Sequence, residues 1–278
     1  MAGNNAGELA GKVALVTGAT RKRGVGRAIA VALAKQGADV VITGSGAKKS
    51  AAALPVDERD GWRGLADVVD ELRACGVRAH AITADISIQA DVQRMITETV
   101  SVMGRLDILV NNAAFSRGAD RVPLVDMDIA VWRKIIDTNL NGTMLCCQYA
   151  ARQMIKQGTG GAMVSISSGA ALKAPATFSA YAASKAAVHA LNASLACELG
   201  PHGITCNVVA PGIIDSARID MLRTDGRFDK RMQDNPSGRA GKPEEVAELV
   251  RFLCGPNARW ISGEVILING GEVRRAAN

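Results

Sequence analysis

The stretch KVALVTGATRKRGVGRAIAVALAKQG, residues 12–37, decides the fold of this chain. Its first six residues form a short apolar run rich in β-branched side chains, which predicts a buried strand. A glycine-rich loop follows, and the next residues repeat apolar side chains at helical spacing until Gly37 ends the pattern. A strand, a glycine loop and a helix in this order form the first half of a dinucleotide-binding unit, because the glycines let a pyrophosphate approach the start of the helix. An ordinary turn is the alternative for such a loop taken alone.

The same alternation of strands and helices continues to the end of the chain. Further strands are predicted over 38–43, 77–83, 106–110, 162–166, 204–209 and 264–268. Further helices are predicted over 62–74, 87–103, 128–157, 178–199 and 243–254. Unbroken alternation predicts an α/β fold: a single-domain, Rossmann-like, doubly wound parallel sheet of about seven strands with helices on both faces. We expect one dinucleotide-binding and catalytic domain over 1–278, with a tail at 1–10, an inserted loop at 44–61 and a substrate-side loop at 213–240.

Composition narrows the class of protein. The 278 residues are 48% hydrophobic but only 3% aromatic, which suits a parallel sheet with an aliphatic core. The net charge of +6 raises the possibility of nucleic-acid binding, yet the cations are scattered and no basic stretch has interleaved aromatic residues, so we expect no nucleic-acid partner. No apolar run of about 18 residues is present and the first residues lack a signal-peptide core, so we expect no membrane association. The six cysteines form no Cys-x-x-Cys motif and no metal-ligand spacing with histidine, which favours free thiols, no metal and a cytoplasmic location.

A second stretch, SGAALKAPATFSAYAASK at 168–185, carries the candidate chemistry. Tyr181 and Lys185 are four residues apart, so a helix places both side chains on one face. A serine pair, Ser167 and Ser168, ends the preceding strand. A phenol, an ammonium group and a hydroxyl are the components of a proton-transfer site. Because ligands of such sheets bind beyond the carboxyl ends of the strands, we expect this stretch to meet the glycine loop there.

In these motifs the chain resembles the short-chain dehydrogenase/reductase family, from residue 12 to residue 271. The resemblance extends to the 3-oxoacyl-thioester reductases, although many reductases of other ketones share it. The motifs follow in order and spacing: the glycine loop at 17–26, Asp85, NNAA at 111–114, Asn139 in TNLNGT, Ser168, the Tyr-x-x-x-Lys pair, Pro211-Gly212 and NGG at 269–271.

The resemblance implies four catalytic residues. Tyr181 would donate a proton in reduction and accept one in oxidation. Lys185 would hold the nicotinamide ribose and lower the pKa of the phenol, which is near 10 when unperturbed. Ser168, thirteen residues before the tyrosine, would hydrogen-bond the substrate oxygen, and Asn139 would hold a water that relays protons to Lys185.

The resemblance also implies a set of cofactor-binding residues, which follow the predicted strands. They are Gly18, Thr20, Arg21, Gly24, Val25, Gly26, Ser45, Asp85, Ile86, Asn112, Ala113, Tyr181, Lys185, Pro211, Gly212, Ile214 and Ser216. The glycine loop departs from the family pattern because five residues rather than three separate Gly18 from Gly24. Three of them are consecutive cations, which could clamp a phosphate or form a solvated basic loop. No acid follows the second strand at Gly44 and Ser45, where NAD-preferring members have one, so we expect NADP(H) rather than NAD(H).

The expected activity is hydride transfer between NADP(H) and a small-molecule carbonyl or alcohol substrate. One alternative is an NAD-dependent alcohol or sugar dehydrogenase, and an alternative of another class is a non-catalytic dinucleotide-sensing protein. The helices predicted over 128–157 and 178–199 exceed what one sheet face should cover. Because family members pair these helices between subunits, we expect a homotetramer.

Overall fold

The predicted strands form one sheet in the computed structural model of the chain, which describes residues 7–46, 58–59, 61–115, 118–223 and 227–272. Within these residues the strands are β1 (Val13–Val16), β2 (Asp39–Gly44), β3 (Ala79–Thr83), β4 (Ile108–Asn111), β5 (Gly161–Ile166), β6 (Ile204–Pro211) and β7 (Val265–Ile268). Their order in the sheet is β3-β2-β1-β4-β5-β6-β7, and all neighbours are parallel. This confirms the predicted fold class.

Helices connect the strands and cover both faces of the sheet. They are α1 (Val25–Lys35), α2 (Leu65–Ala74), α3 (Gln89–Met103), α4 (Ile129–Ile136), α5 (Gly142–Gln157), α6 (Ala170–Lys173), α7 (Ser179–Leu199), α8 (Asp220–Arg223), α9 (Arg227–Gln233) and α10 (Pro243–Cys254). A π-helical turn, Asp137–Asn141, joins α4 to α5, so the single helix predicted over 128–157 contains a widened turn. No helix of the described residues is long and apolar enough to cross a bilayer.

Alternate residues of β1 face two separate cores. Ala14 and Val16 pack in the core beneath α1, α2 and α10, whereas Val13 and Leu15 pack in the core beneath α3, α5 and the end of α7. All four side chains are at most 1% exposed. A strand buried on both faces must be apolar throughout, which is why this run lacks the polar alternation of a half-exposed strand.

The strand order reverses between β1 and β4, because the chain builds β1, β2 and β3 outward and then returns to the other side of β1. The connections that leave the carboxyl ends of β1 and β4 therefore diverge and leave a crevice between them. The glycine loop follows β1, NNAA begins at the last residue of β4, the serine pair follows β5, and Pro211-Gly212 ends β6. The topology thus brings the four sequence motifs to one rim.

The start of helix α2 and the packing of the predicted N-terminal tail differ from the sequence-based prediction. Helix α2 starts at Leu65 rather than residue 62, because Gly64 has φ +68° and the indole of Trp62 instead donates to the Thr20 carbonyl (2.9 Å). The predicted tail is packed from residue 7 onward, since Leu9 is 2% exposed and its N–H donates to Gln36 O. Residues 1–6 lie outside the described residues.

The two predicted loops also contain more order than expected. The 213–240 segment includes a 3₁₀ turn (Ala217–Ile219) and the short helices α8 and α9, although residues 224–226 lie outside the described part. Most of the 44–61 loop lies outside it as well, but Glu58 is described and is only 3% exposed. A buried carboxylate is not what a solvated surface loop predicts, and it has a partner at the candidate site.

Candidate active site

The glycine loop has no room for side chains at two positions. Gly18 has φ +71°, and a Cβ there would lie 2.7 Å from Ala113 Cα. A Cβ on Gly26 would lie 2.7 Å from Gly18 O. Both separations are far below van der Waals contact, so only glycine lets the loop fold against β4 and the start of α1. The result is a cradle of backbone N–H groups at a helix N-terminus, which suits a pyrophosphate.

Hydrogen bonds fasten the loop after β4 to this cradle. The buried Thr17 hydroxyl accepts from the backbone N–H groups of Asn112 and Ala113, both at 3.1 Å. The Asn112 amide donates in return to the carbonyls of Thr17 and Gly18, both at 2.9 Å. The glycine loop after β1 and the loop after β4 thus form two walls of the crevice, and the side chains of Thr17 and Asn112 hold these walls together.

Helix α7 presents Tyr181 and Lys185 to the same rim, one turn apart as the spacing predicts. Tyr181 is 9% exposed and Lys185 is 3% exposed. The Lys185 ammonium donates to Ile166 O at the end of β5 (2.7 Å), and this hydrogen bond holds the ammonium group at the carboxyl end of that strand. The Ser168 hydroxyl lies near enough to the Tyr181 phenol to lower its pKa, and all three side chains line one cavity, so the predicted serine, tyrosine and lysine do come together.

Charged neighbours lower the pKa of the Tyr181 phenol. Burial acts in the opposite direction and is the largest single influence, because it disfavours the phenolate. The positive charges of Arg218 and Lys185 outweigh it, with help from the Ser168 hydroxyl and from Arg121. The net pKa of Tyr181 lies below its ordinary value of 10.0, as an acid–base group working near neutral pH requires.

The pKa of Lys185 is lowered as well. Its burial is the main cause and the nearby charge of Arg218 adds to it, while the Tyr181 phenolate opposes both. The neighbouring His189 has a structural partner, since its Nε2 lies 2.7 Å from the Ser167 hydroxyl. Burial and the Lys185 charge also lower the pKa of His189, which keeps it neutral.

Asn139 lies behind the site in the π-helical turn and is 0% exposed. Its side-chain oxygen accepts from the Phe115 backbone N–H (2.8 Å) and its amide donates to the Ser184 hydroxyl (3.0 Å). Ser184 in turn donates to the Tyr181 carbonyl (2.8 Å). Asn139 thus ties the loop after β4 to the helix that carries Tyr181. Its part in a proton relay through water stays a prediction.

One cavity of about 1300 Å³ follows the rim of the sheet. Every predicted cofactor-binding residue lines it, and so does Ser168, whereas Asn139 does not. The residues fit a dinucleotide: two glycines are obligatory in the cradle, and the rim offers backbone donors for a pyrophosphate. Among the described residues, no group of three His, Cys, Asp or Glu side chains is placed to hold a metal ion.

The three cations of the glycine loop do not form a common phosphate clamp. Arg21 forms an ion pair with Glu58 (2.7 Å), which also accepts from the backbone N–H of Lys22 (2.9 Å). Arg23 turns to the other side and pairs with Asp220 (2.7 Å) and Asp215 (3.3 Å). Arg21 and Arg23 are therefore ion-paired rather than solvated, and both line the cavity.

Several residues of the cavity wall were missed by sequence reasoning, and three of them carry charges that matter here: Glu58, Arg121 and Arg218. All three lie in long connections with no periodic pattern and no family motif. The only signal for Glu58 was the unusual length of its loop, and for the arginines it was the position of their loops beyond strand ends. Their roles depend on contacts between segments that are distant in sequence.

The comparisons with known proteins agree with this geometry. A family model described as enoyl-(acyl carrier protein) reductase matches residues 18–272. The 3-oxoacyl-[acyl-carrier-protein] reductase FabG of Staphylococcus aureus is 39% identical over 260 residues, covering 94% of this chain and 97% of the relative. The short-chain dehydrogenase/reductase eriH of Hericium erinaceus is 35% identical over 266 residues, with 94% and 97% covered.

The chain belongs to the short-chain dehydrogenase/reductase family.

Solved structures of the same family superpose on it along nearly the whole chain. A short-chain type dehydrogenase/reductase from Mycobacterium marinum has a TM-score of 0.82 at 31% identity, with 96% of this chain and 97% of that chain covered. The acetoin dehydrogenase YohF from Salmonella typhimurium has a TM-score of 0.78 at 33% identity, with 94% and 96% covered. As a member of this family the protein is an oxidoreductase that acts on CH–OH or keto groups with a nicotinamide dinucleotide.

Proposed function

We propose that this dehydrogenase/reductase uses NADP(H) to reduce a ketone, in a reaction of the 3-oxoacyl type. The observation that carries the proposal is the cluster of Ser168, Tyr181 and Lys185 at one end of a cavity whose other end is the glycine cradle. The FabG relatives, whose name states 3-oxoacyl reduction, support the reductive direction of the reaction and the class of substrate. A protein that only senses the dinucleotide has no need of an acid–base cluster at the site.

The side chains have separate tasks in this reaction. The bound nicotinamide supplies the hydride. Ser168 donates to the ketone oxygen and holds it beside the phenol, where negative charge develops in the transition state. Tyr181 gives its proton to that oxygen, and the lowered pKa makes the phenol a stronger acid than free tyrosine. Lys185, held by Ile166 O, keeps a positive charge near the phenolate that remains.

The cofactor preference rests on the end of β2. Gly44 and Ser45 place no carboxylate there that would repel a ribose phosphate. The Arg21 guanidinium lines the same end of the cavity with its side chain 28% exposed. A 2′-phosphate carries more charge than the Glu58 carboxylate and would compete for Arg21. These two features support NADP(H).

A specific observation favours NAD(H) as the second candidate. The Glu58 carboxylate is nearly buried at the wall of the cavity. An acid at this place can accept hydrogen bonds from ribose hydroxyls and would repel a 2′-phosphate. The oxidative reaction of an NAD-dependent alcohol or sugar dehydrogenase would then be the activity.

The first experiment is a titration with NADPH and with NADH, followed by nicotinamide fluorescence. Tighter binding of NADPH supports the proposal, and tighter binding of NADH contradicts it. The Glu58→Gln variant sharpens the test because it releases Arg21: we expect NADPH affinity to rise about tenfold with NADH affinity unchanged. If Glu58 instead binds ribose hydroxyls, NADH affinity falls. Glu71→Gln is the matched control, since Glu71 pairs with Arg27 (2.7 Å) and does not line the cavity.

The chemistry is tested with the Tyr181→Phe variant. Loss of the phenol oxygen should lower kcat for ketone reduction by about 10²-fold or more, because general acid catalysis contributes that much. Cofactor titration should change little, since the ring and Lys185 remain. Near-normal turnover by this variant would refute the assigned chemistry.

We also propose a homotetramer. Only eight of the 21 residues of α7 are buried in the single chain, and its other side chains are mostly alanine, leucine and other small or apolar residues. The edge strand β7 is incompletely buried along its whole length. Both surfaces suit pairing with a second copy of the chain. The cytoplasmic location expected from the thiols stays a prediction.

A further inference from the structure

Two arginines from different loops meet on the ring of the catalytic tyrosine. The Arg121 guanidinium carbon lies 4.6 Å from the Tyr181 ring centre, and that of Arg218 lies 5.2 Å from it. Arg121 lies in the loop after β4, whereas Arg218 belongs to the 3₁₀ turn after β6. Both line the cavity beside Ser168, where the reacting oxygen of a substrate must lie.

The two arginines differ in how their charge is balanced. Arg121 pairs with the buried Asp120 and also stacks on the Phe178 ring at 3.9 Å. Arg218 forms no ion pair with any described residue. Its Nη1 donates to Phe115 O (3.0 Å), while its Nη2 is buried and has no hydrogen-bond partner in the described part of the chain. Arg218 is therefore a positioned cation to which the described residues supply no counter-anion.

The nearest acids along the chain are already engaged by other arginines. Asp215 pairs with Arg23 (3.3 Å) and Arg223 (2.8 Å), and Asp220 pairs with Arg23 (2.7 Å). Both acids are thus occupied by other arginines, and neither forms an ion pair with Arg218, although both lie within three residues of it in sequence.

Arg218 is half-buried, and a guanidinium whose buried Nη2 has neither a hydrogen bond nor an anion is costly, so a ligand that supplies the anion lowers that cost. The planar fork of arginine matches the two oxygens of a carboxylate. A site with one uncompensated polar group discriminates strongly between a ligand that pairs with it and one that does not. The place of Arg218 against the tyrosine ring requires that anion to be close to the carbonyl that is reduced.

We propose that the substrate is a short oxo acid, and that Arg218 binds its carboxylate while Ser168 and Tyr181 hold the reacting ketone oxygen. This rests on the proposed function, since it names the substrate class of the same site. It keeps the ketone reduction of the proposed function and changes only the acyl end of the substrate: a free carboxylate takes the place of the neutral thioester of the 3-oxoacyl substrates named for the FabG relatives.

The test compares each acid with its own methyl ester. Oxo acids of four to six carbons, with the ketone at position 2 or 3, are assayed for NADPH- and NADH-dependent reduction beside their esters, each at its optimal pH. For the wild type we expect kcat/KM to favour at least one acid over its ester by about tenfold or more. Equal or better reduction of every ester would overturn the inference.

The variants separate substrate binding from other roles of Arg218. Arg218→Gln keeps a donor for Phe115 O but removes the charge, so we expect the preference for the acid to disappear, chiefly through a higher KM for the acid. Arg218→Lys should keep part of the preference. Arg251→Gln is the charge-matched control, because Arg251 pairs with Glu248 on α10 (2.7 Å), away from the cavity. An equal loss for acid and ester, or a loss of NADPH affinity in Arg218→Gln, would refute the assignment.

A binding measurement keeps the two proposals distinguishable. The acids that bind are titrated calorimetrically into the complexes of wild type and Arg218→Gln with NADPH or NADH, in the Tyr181→Phe background to prevent turnover. Acid binding that depends on Arg218 supports the inference even if no ketone is reduced, in which case only the proposed function fails. Reduction of esters without acid binding refutes the inference alone. Thermal unfolding of each variant checks that the fold is kept.

Discussion

At the scale of single residues, the Tyr181 phenol depends on charges from three separate parts of the chain. Lys185 comes from the same helix, Arg218 from the turn after β6 and Arg121 from the loop after β4. The helix spacing predicts only the first of these. The other two explain how a buried phenol has a lowered rather than a raised pKa, since burial alone acts upward.

This gives a prediction for the pH dependence of alcohol oxidation. In the proposed chemistry the phenolate is the base, so we expect the rate to rise as pH passes through the Tyr181 pKa, which lies below 10.0 in the wild type. In Arg218→Gln one lowering charge is lost while burial remains, so the pKa rises and the ascending limb moves to higher pH. The measurement is kcat/KM against pH for a neutral alcohol in wild type, Arg218→Gln and Arg251→Gln. A limb that moves to lower pH, or stays in place, would contradict the charge assignment.

At the scale of elements, the helix that covers 129–157 carries a feature that its sequence pattern does not show. Apolar periodicity predicts a continuous helix, and the π-helical turn widens it where Asn139 reaches Phe115 and Ser184. A widened turn inside a helix is common at functional sites, because it turns a side chain or carbonyl out of the regular ladder.

Replacing Asn139 tests what the turn does. In Asn139→Ala the Phe115 N–H loses its acceptor, so we expect faster hydrogen exchange at Phe115 and a destabilisation of about 1–3 kcal/mol from the unpaired groups. Activity should fall as well, because Phe115 O holds Arg218. Thr143→Val is the control, since the Thr143 hydroxyl donates to the Asn139 carbonyl from the same helix but does not touch Phe115. Unchanged hydrogen exchange at the Phe115 N–H in Asn139→Ala would refute the view that Asn139 holds this loop in place.

The start of α10 gives a second prediction about an element. Glu245 accepts from the Lys242 backbone N–H (2.7 Å) and pairs with both terminal nitrogens of Arg239, and these bonds lower its pKa from 4.5 to about 2. A lowered pKa stabilises the fold above pH about 4.5, and the contribution is lost as pH falls towards 2. The side chain is 41% exposed, so solvent screens much of the charge effect.

Glu245→Gln should therefore lower stability by about 1 kcal/mol at pH 7, which is a fall in Tm of about 2–4 °C. The difference from the wild type should shrink below pH 4 for as long as the fold survives. Glu248→Gln is the control on the same helix, because Glu248 is 62% exposed and pairs only with Arg251 among the described side chains. A stability difference between wild type and Glu245→Gln that grows at low pH would contradict a lowered pKa of Glu245.

At the scale of the whole molecule, apolar side chains remain exposed near the edge strand β7. Trp260 is 98% exposed, Leu267 is 47% exposed and Phe252 on α10 is 39% exposed. A free sheet edge beside exposed aromatic residues is a place where a second chain can pair and bury apolar area. This surface and the incompletely buried helix α7 both leave apolar side chains uncovered, and we expect the proposed tetramer to bury both.

Trp260→Glu tests the contribution of this edge. We expect wild type to sediment as a tetramer and Trp260→Glu to sediment as a smaller species, because a charge at a buried interface position is costly. Val102→Glu is the control, since Val102 is 45% exposed at the end of α3, far from β7 in the sheet. A monomeric wild type would refute the tetramer, and a tetrameric Trp260→Glu would exclude this edge from the interface.

Local sequence determined the elements and the rim where the motifs meet. Apolar runs, glycines at helix ends and helical spacing depend on neighbours within a few residues. The alternation of strands and helices, the glycine loop with Gly18 and Gly26, and the pairing of Tyr181 with Lys185 on one helix face were therefore all predictable. Parallel strands put their carboxyl ends on one side, which places the four motifs together without any further information.

Only the tertiary structure decided what lies around these motifs. Arg21 meets Glu58 across 37 residues of sequence, and Arg218 meets Phe115 across 103. The loops that carry Glu58 and Arg218 have no periodic pattern. Their conformations depend on side-chain contacts with the rest of the fold, because they have no repeating backbone geometry. The charges to which we attribute cofactor preference and substrate class act over a few ångströms in space, and the number of residues between them in the sequence does not reveal that they are close.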